Sequence, residues 1–302
     1  MLRIPLIVLL FALSATQYAA AQTCAGSPVA VQILGSGGPT INPDRASSSY
    51  LLWVGDKAKV MVDMGGGAFL RFGQSRAKLS DLSLMAVSHL HPDHISDLPA
   101  LLWLSHRSRP APLPIIGPSG NSVAPDFPTF LARLFDEKTG AFQVLGSTLS
   151  GNQSNRAGGF HLKIGVVDVT KQEPTMVHSE PGLTVTAFGI PHGDLPTLAY
   201  RVQAGDKSVV FSSDQNGTNP KFIDFARGAN VLVMHMAVAP GEVNPRHAEP
   251  ALVGRIAQAA GVGRLIVSHI GPFDLDIAIS ELKKTFSGAL TVGADLQCTA
   301  VH

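Results

Sequence analysis

Residues 88–99 read SHLHPDHISDLP and place His89, His91, Asp93 and His94 within six positions. The stretch follows LSLMAVS (82–88), a short apolar run with the composition of a buried β-strand. Ligand side chains often sit on loops just beyond strand ends, because the strand fixes the backbone that presents them. Imidazole nitrogens with a carboxylate oxygen form a donor set suited to zinc. His89 and His91 alternate and can face one ion, while Pro92 bends the chain so that Asp93 and His94 turn towards a second. A chance surface cluster is the competing reading, and both the spacing and the strand before it argue against that.

Three further apolar runs end in the same way. His192 follows LTVTAFGIP, Asp214 follows SVVFSS, and His269 follows RLIVS. Each alone is as readily a core histidine or a loop aspartate. Together with the first stretch they make four strand ends that deliver ligand-type residues.

Outward from these runs the pattern continues. VAVQIL (29–34) predicts a strand, and SSYLLWV (48–54) and AKVMVDM (58–64) predict a hairpin around GDK. PLPIIG, LTVTAFGI, NVLVMHM (230–236) and RLIVSHI (264–270) predict strands, with LAYRVQA and KSVVFSSD as a second hairpin. Helices are expected from Pro99 to His106, over 127–140, and over 247–261 with His247 opening the last. The segment 146–159, GSTLSGNQSNRAGG, reads as a polar loop. Strands alternating with helices, plus hairpins, indicate one mixed α/β domain over residues 22–302. At 45% hydrophobic and 15% charged, the 302-residue chain can bury a sizeable core. The formal net charge is +1 with no Lys/Arg run, so the electrostatic footprint of a nucleic-acid binder is missing.

The chain starts MLRIPLIVLLFALSATQYAAAQTC. One Arg, an apolar run from Ile4 to Leu13 and small residues at Ala19–Ala21 form the pattern of a secretory signal, with cleavage after Ala21. An uncleaved anchor is the alternative, but the run is shorter than the roughly 20 residues that span a bilayer. The expected location is therefore the periplasm or the exterior. There Cys24 and Cys298 can form one intramolecular bridge tying the two ends of the mature chain, or remain free thiols.

The H-x-H-x-D-H stretch with a later His, Asp and His resembles the metallo-β-lactamase superfamily. QILGSGGP, YLLWVGDKAKVMVDMGGG, AVSHLHPDHISDLPALL, PHGDLPTLAYRV, VVFSSD and LIVSHI follow in the order of its RNase Z and arylsulfatase-like branch. The resemblance implies a four-layer αββα sandwich with two zinc ions at one edge. By position, His89, His91 and His192 would hold one zinc, Asp93, His94 and His269 the other, and Asp214 would bridge them. A shared hydroxide would be the nucleophile, with Asp93 and His247 the catalytic side chains. His247 would stabilise developing negative charge or protonate the leaving oxygen. Iron or manganese also suits such a donor set. Asp63, ending MVDMGGG, is either a support for the ligand loop or a turn aspartate. His235 resembles the first residue of the branch's H-E-A-T stretch, but Met236 stands where a Glu is expected, leaving Glu242 or Glu249 to complete a Glu–His relay.

The same comparison narrows the substrate. RNase Z carries a long basic arm between the third histidine and the bridging aspartate, and the stretch from His192 to Asp214 is too short for one. Glyoxalase II and true β-lactamases present G-H-T or G-H-S where this chain has PHGD. B3 β-lactamases lack the bridging aspartate, and flavodiiron proteins place Glu where His91 stands. Class II phosphodiesterases often have Leu at the position of Pro92. This leaves an exported hydrolase of small sulfate or phosphate esters. A lactonase or B3-like β-lactamase is the alternative, and a non-catalytic metal- or partner-binding protein is the rival from another class. The expected partners are a small-molecule ester and, as in similar families, a second copy in a homodimer. Nucleic acid and a membrane span after signal cleavage are not expected. The substrate pocket is expected from residues 104–181.

Overall fold

A computed structural model describes Cys24 and residues 26–105, 112–150 and 161–302. The expected signal segment 1–21, His106 and most of the 146–159 stretch lie outside the described residues. The described chain forms two seven-stranded sheets. The first contains β1 (Val29–Gly35), β2 (Ser49–Val54), β3 (Lys57–Met64), β4 (Leu84–Ala86), β5 (Leu113–Pro118) and β6 (Leu162–Val167), with the last strand, β14 (Cys298–Ala300), beside β1. The second contains β7 (Thr175–Glu180), β8 (Leu183–Ile190), β9 (Thr197–Ala204), β10 (Lys207–Phe211), β11 (Val231–His235), β12 (Arg264–Ser268) and β13 (Ala289–Val292).

Each sheet is antiparallel in one half and parallel in the other. Strands β3 to β6 run parallel, as do β10 to β13. Parallel strands end at one edge, and ligands collect beyond their carboxyl ends. The loops after β4, β10 and β12 therefore carry His89–His94, Asp214 and His269 to one rim.

Alternation along the strands builds the layers. Val31, Ile33, Tyr50, Leu52, Val60 and Val62 face the second sheet and meet Val185, Val202, Val209 and Phe211. The intervening residues Leu51, Met61 and Met85 pack outward against Phe72 of α1 (Ala68–Ser75), Leu101 of α3 (Leu98–Ser105) and Leu131 of α4 (Phe127–Phe135). On the far side Val210, Leu232 and Leu265 meet Phe222 of α6 (Lys221–Ala226), Val253 of α7 (Pro250–Ala260) and Leu282 of α8 (Leu275–Lys283). This is the expected four-layer αββα sandwich. Two single-turn helices remain, α2 (Pro92–Ile95) and α5 (Ser147–Ser150).

Several boundaries differ from the sequence reading, each for a local reason. The helix expected over 127–140 stops at Phe135, because the Asp136 carboxylate accepts from the N–H groups of Lys138 and Thr139 and turns the chain. Residues 147–150 form a helical turn where a loop was expected. His247 does not open α7. Glu249 is the cap, accepting from Ala251 N at 2.9 Å and Leu252 N at 2.8 Å, and Pro250 occupies the first helical position. His247 consequently stands on the loop before the helix, free of helical geometry.

Cys24 and Cys298 are bonded, with Cα atoms 5.6 Å apart across a sequence separation of 274. The bond pins the start of the described chain to the edge strand β14. Replacing Cys24 with Ser is expected to lower stability by about 2–5 kcal/mol. Urea unfolding checks this: the midpoint should drop in the variant and, for the unaltered protein, on adding reductant. An unchanged midpoint would show that the bridge contributes nothing. No described helix is long and apolar enough to cross a membrane.

Candidate metal centre

The sequence-predicted residues come together at one rim. The side chains of His89, His91, His192 and Asp214 form one tight group, and those of His94, His269, His235 and Asp214 form a second. Asp214 belongs to both. Its Oδ2 lies 3.9 Å from His89 Nε2, 3.7 Å from His192 Nε2 and 3.5 Å from His94 Nε2. Its Oδ1 lies 3.3 Å from His269 Nε2. One carboxylate thus faces both sets of imidazoles, Oδ2 reaching His89, His192 and His94 and Oδ1 reaching His269, a placement that suits a bridging ligand.

His235 is the member that sequence reasoning assigned elsewhere. Its Nδ1 is bonded to Asp214 Oδ1, and its Nε2 contacts the Tyr50 hydroxyl at 3.3 Å. With Nδ1 on Asp214 and Nε2 at the Tyr50 hydroxyl, the ring is placed to orient Asp214. It stacks on His269 with centroids 4.8 Å apart. Asp93 stands at the same position from the other side, with Oδ2 3.2 Å from His269 Nε2 and 3.5 Å from His94 Nε2. Neither glutamate compensates for Met236: the Glu249 carboxylate is spent on the α7 cap, and Glu242 is exposed and accepts from Asn244.

Asp63 supports the ligand loop. Its Oδ1 accepts from Ser88 N at 2.7 Å, and its Oδ2 accepts from Ser88 Oγ at 2.8 Å and lies 2.8 Å from His94 Nδ1. That contact assigns the proton of His94 to Nδ1 and leaves Nε2 facing the cluster. Nε2 of His94 is buried without a hydrogen-bond partner. In the same way, the Arg246 carbonyl accepts from His192 Nδ1 at 2.9 Å and turns Nε2 inward.

The backbone is bent to achieve this. Asp63, Ser213 and His269 have φ of 56°, 53° and 53°, in the left-handed region that non-glycine residues avoid. Such conformations cost of order 1–3 kcal/mol each and cluster at working sites. Gly65 permits a close approach: a Cβ there would lie 2.1 Å from the Asp93 carbonyl oxygen.

The electrostatics fit cations. Burial works to raise Asp93, but the His269 hydrogen bond and the neighbouring histidines bring it down to about 2. Burial opposes ionisation of Asp214 too, and His269, His94 and His235 hold it well below the usual carboxylate range. Burial lowers His89 well below its ordinary value and also lowers His192 and His91, keeping these rings neutral and ligand-competent. Against burial, Asp214 and Asp63 raise His94 well above its ordinary value, so in this site its ring holds a positive charge at the point where a cation would sit. Carboxylates, neutral imidazoles at His89, His91 and His192, and this cationic His94 at one point match a site built for divalent metal. Ligand type alone does not select zinc over iron or manganese.

His247 sits above both groups, its ring centroid 5.1 Å from that of His192 and 5.6 Å from that of His269, with Nδ1 3.9 Å from Asp214 Oδ2. Burial pushes it down to about 4, against the pull of Asp214. Beside the rim lies a groove of 510 Å³ that includes Ile41, Arg45, Ser47, Gly66 and Asp93. A second hollow of 420 Å³ is lined by Leu90, Val123, Phe130, Leu134 and Leu195, among others. The segment 104–181 thus supplies walls only to the second. The loop 38–47 shapes the first.

Comparison with known proteins agrees with this architecture. The sequence profile described as "Beta-lactamase superfamily domain" matches residues 60–270. Ribonuclease Z of Mycobacterium bovis (strain BCG / Pasteur 1173P2) is 28% identical over 303 aligned positions, covering 90% of this chain and 98% of that protein. Among solved structures, the metallo-beta-lactamase fold protein YhfI from Bacillus subtilis superposes with a TM-score of 0.69 at 23% identity, covering 90% of this chain and 99% of that one. The short form of human tRNase Z gives the same TM-score at 16% identity, with the same coverage. Relatives named for RNA cleavage leave the exclusion of nucleic acid, drawn from charge, the short His192–Asp214 stretch and the export signal, without support. Fold, rim and matched profile agree that the chain belongs to the metallo-β-lactamase superfamily, as a metal-dependent hydrolase of its ribonuclease Z-like branch.

Proposed function

We propose that this chain is an exported hydrolase of small sulfate or phosphate esters that works with two divalent ions. The observation that carries the reading is Asp214, which presents one oxygen to His89, His192 and His94 and the other to His269. His89, His91 and His192 would hold one ion, Asp93, His94 and His269 the other, and Asp214 both. When bound, the ions supply Lewis-acid stabilisation of the ester oxygens and lower the pKa of the attacking water. His235 and Asp63 keep Asp214 and His94 in place. His247 faces the open side of the cluster. Being neutral, with its proton affinity lowered by burial, it serves better as an N–H donor to developing negative charge than as a stored proton.

Three features support a small substrate outside the cytoplasm. The residues between His192 and Asp214 are taken up by the β9–β10 hairpin, which leaves no inserted arm there. The net charge is +1. The signal-like start and the Cys24–Cys298 bond suit an oxidising compartment. An RNA phosphodiester is the second reading, favoured by the name of the mycobacterial relatives.

Metal analysis of purified protein, beside a panel of aryl sulfate, bis-aryl phosphodiester, lactone, cephalosporin and precursor tRNA, tests the proposal. Two metal equivalents with fastest turnover of an anionic small ester are expected. Fewer than one equivalent per chain would sink the reading, and tRNA cleavage above all other substrates would transfer it to RNA. Replacing His247 with Ala should lower kcat by about 10²–10⁴-fold at unchanged metal content. An unchanged kcat would remove His247 from the reaction.

A further inference from the structure

Arg246 is exposed and immediately precedes His247. Its backbone is pinned on both sides. Its N–H donates to Asn244 Oδ1 at 2.9 Å, and its carbonyl accepts from His192 Nδ1 at 2.9 Å. The preceding Pro245 carbonyl accepts from Gly193 N at 3.1 Å and Asn216 Nδ2 at 3.0 Å. The side chain then crosses Gly193, the residue after His192. A Cβ on Gly193 would lie 3.3 Å from Arg246 Cγ and 3.4 Å from its Nε, and the φ of 57° there also favours glycine. Glycine at this position leaves the guanidinium stem room to lie against the rim.

Among the described residues, no carboxylate lies within ion-pair distance of that guanidinium. Among the described residues the guanidinium thus has no ion-pair partner, and its stem lies across Gly193, next to the candidate ligand His192. Its planar fork matches the paired oxygens of a phosphate or sulfate group, which a neutral lactone or lactam does not offer.

We propose that Arg246 recognises the anionic ester group at the rim and so selects sulfate and phosphate esters over neutral cyclic substrates. The assignment rests on the ester-hydrolase reading above, and it places a specificity-determining residue where the sequence showed only the loop before a helix.

Arg246→Met and Arg246→Lys, prepared with their metals, provide the test. Calorimetric titration of inorganic phosphate, expressed per bound metal, should show at least about tenfold weaker binding for R246M and an intermediate loss for R246K. With a bis-aryl phosphodiester, an aryl sulfate and a lactone, the ratio of kcat/KM for anionic over neutral substrate should fall about tenfold in R246M, chiefly through KM. Unaltered phosphate affinity in R246M would overturn the proposal. Equal losses on anionic and neutral substrates would also overturn it, since they mark a structural role through His192. If the unsubstituted protein turns over none of the three, the ester-hydrolase reading fails, and the phosphate titration still decides Arg246.

Discussion

Asp214→Ala is expected to abolish turnover by at least about 10³-fold and to lower metal content from two equivalents to at most one. The reason is geometric. The carboxylate is the one group that faces both sets of imidazoles, so its loss removes a ligand from each ion and the link between them. The substitution also releases His235, whose Nδ1 is bonded to Asp214 Oδ1. Asp214→Asn separates the two effects. It preserves shape and a hydrogen-bond acceptor for His235 but offers one neutral oxygen where the carboxylate offered two, so it should restore folding without restoring the second equivalent. Metal analysis with circular dichroism checks both variants. Retention of two equivalents and more than about a tenth of the activity in the alanine variant would refute the bridging role.

Asp63→Ala should be the most damaging substitution at a residue that touches no candidate ion. Asp63 is buried and engages Ser88 N, Ser88 Oγ and His94 Nδ1, so alanine strands the buried Ser88 N–H and leaves Ser88 Oγ to His89 Nδ1 at 3.0 Å and His94 Nδ1 at 3.4 Å. A stranded buried group costs about 1–3 kcal/mol. Once Asp63 is gone, only the long Ser88 Oγ contact holds His94 Nδ1, and metal affinity should fall about 10–100-fold. The backbone at Asp63 is already left-handed, with φ of 56°, which alanine tolerates poorly. Thermal unfolding of the metal-free protein reads the first effect, and a chelator competition reads the second. Lowered stability with unchanged metal affinity would show that Ser88 and His94 hold their positions without Asp63.

The candidate ligands were legible because the chemistry is local. Each is a polar side chain placed directly after a short apolar run, and such runs are visible without knowing their partners. The strands β1, β2, β3 and β8 were equally legible, since most of their positions are buried and most of their residues are apolar or β-branched. Strands β6 and β7 were not, because their exposed and half-buried positions dilute the apolar pattern. Helix α1 was masked by the three glycines before it, with Gly67 in the left-handed region at its cap. The start of α7 was misplaced because His247 and Ala248 look as helical as the residues beyond them, and the Glu249 cap becomes evident only from its hydrogen bonds.

By itself the sequence determined a mixed α/β chain and which residues are candidates for the chemistry, since strand periodicity and residue type are properties of short stretches; the four-layer arrangement was implied only by the family resemblance. Only the tertiary structure decided how those residues divide. That Asp214 faces both groups, that His235 has both nitrogens engaged, that Asp63 holds Ser88 and His94, and that Arg246 lies unpaired across Gly193 depend on contacts between distant parts of the chain. Such contacts arise where the carboxyl ends of the parallel strands in two different sheets meet at one rim, and no local pattern encodes that meeting.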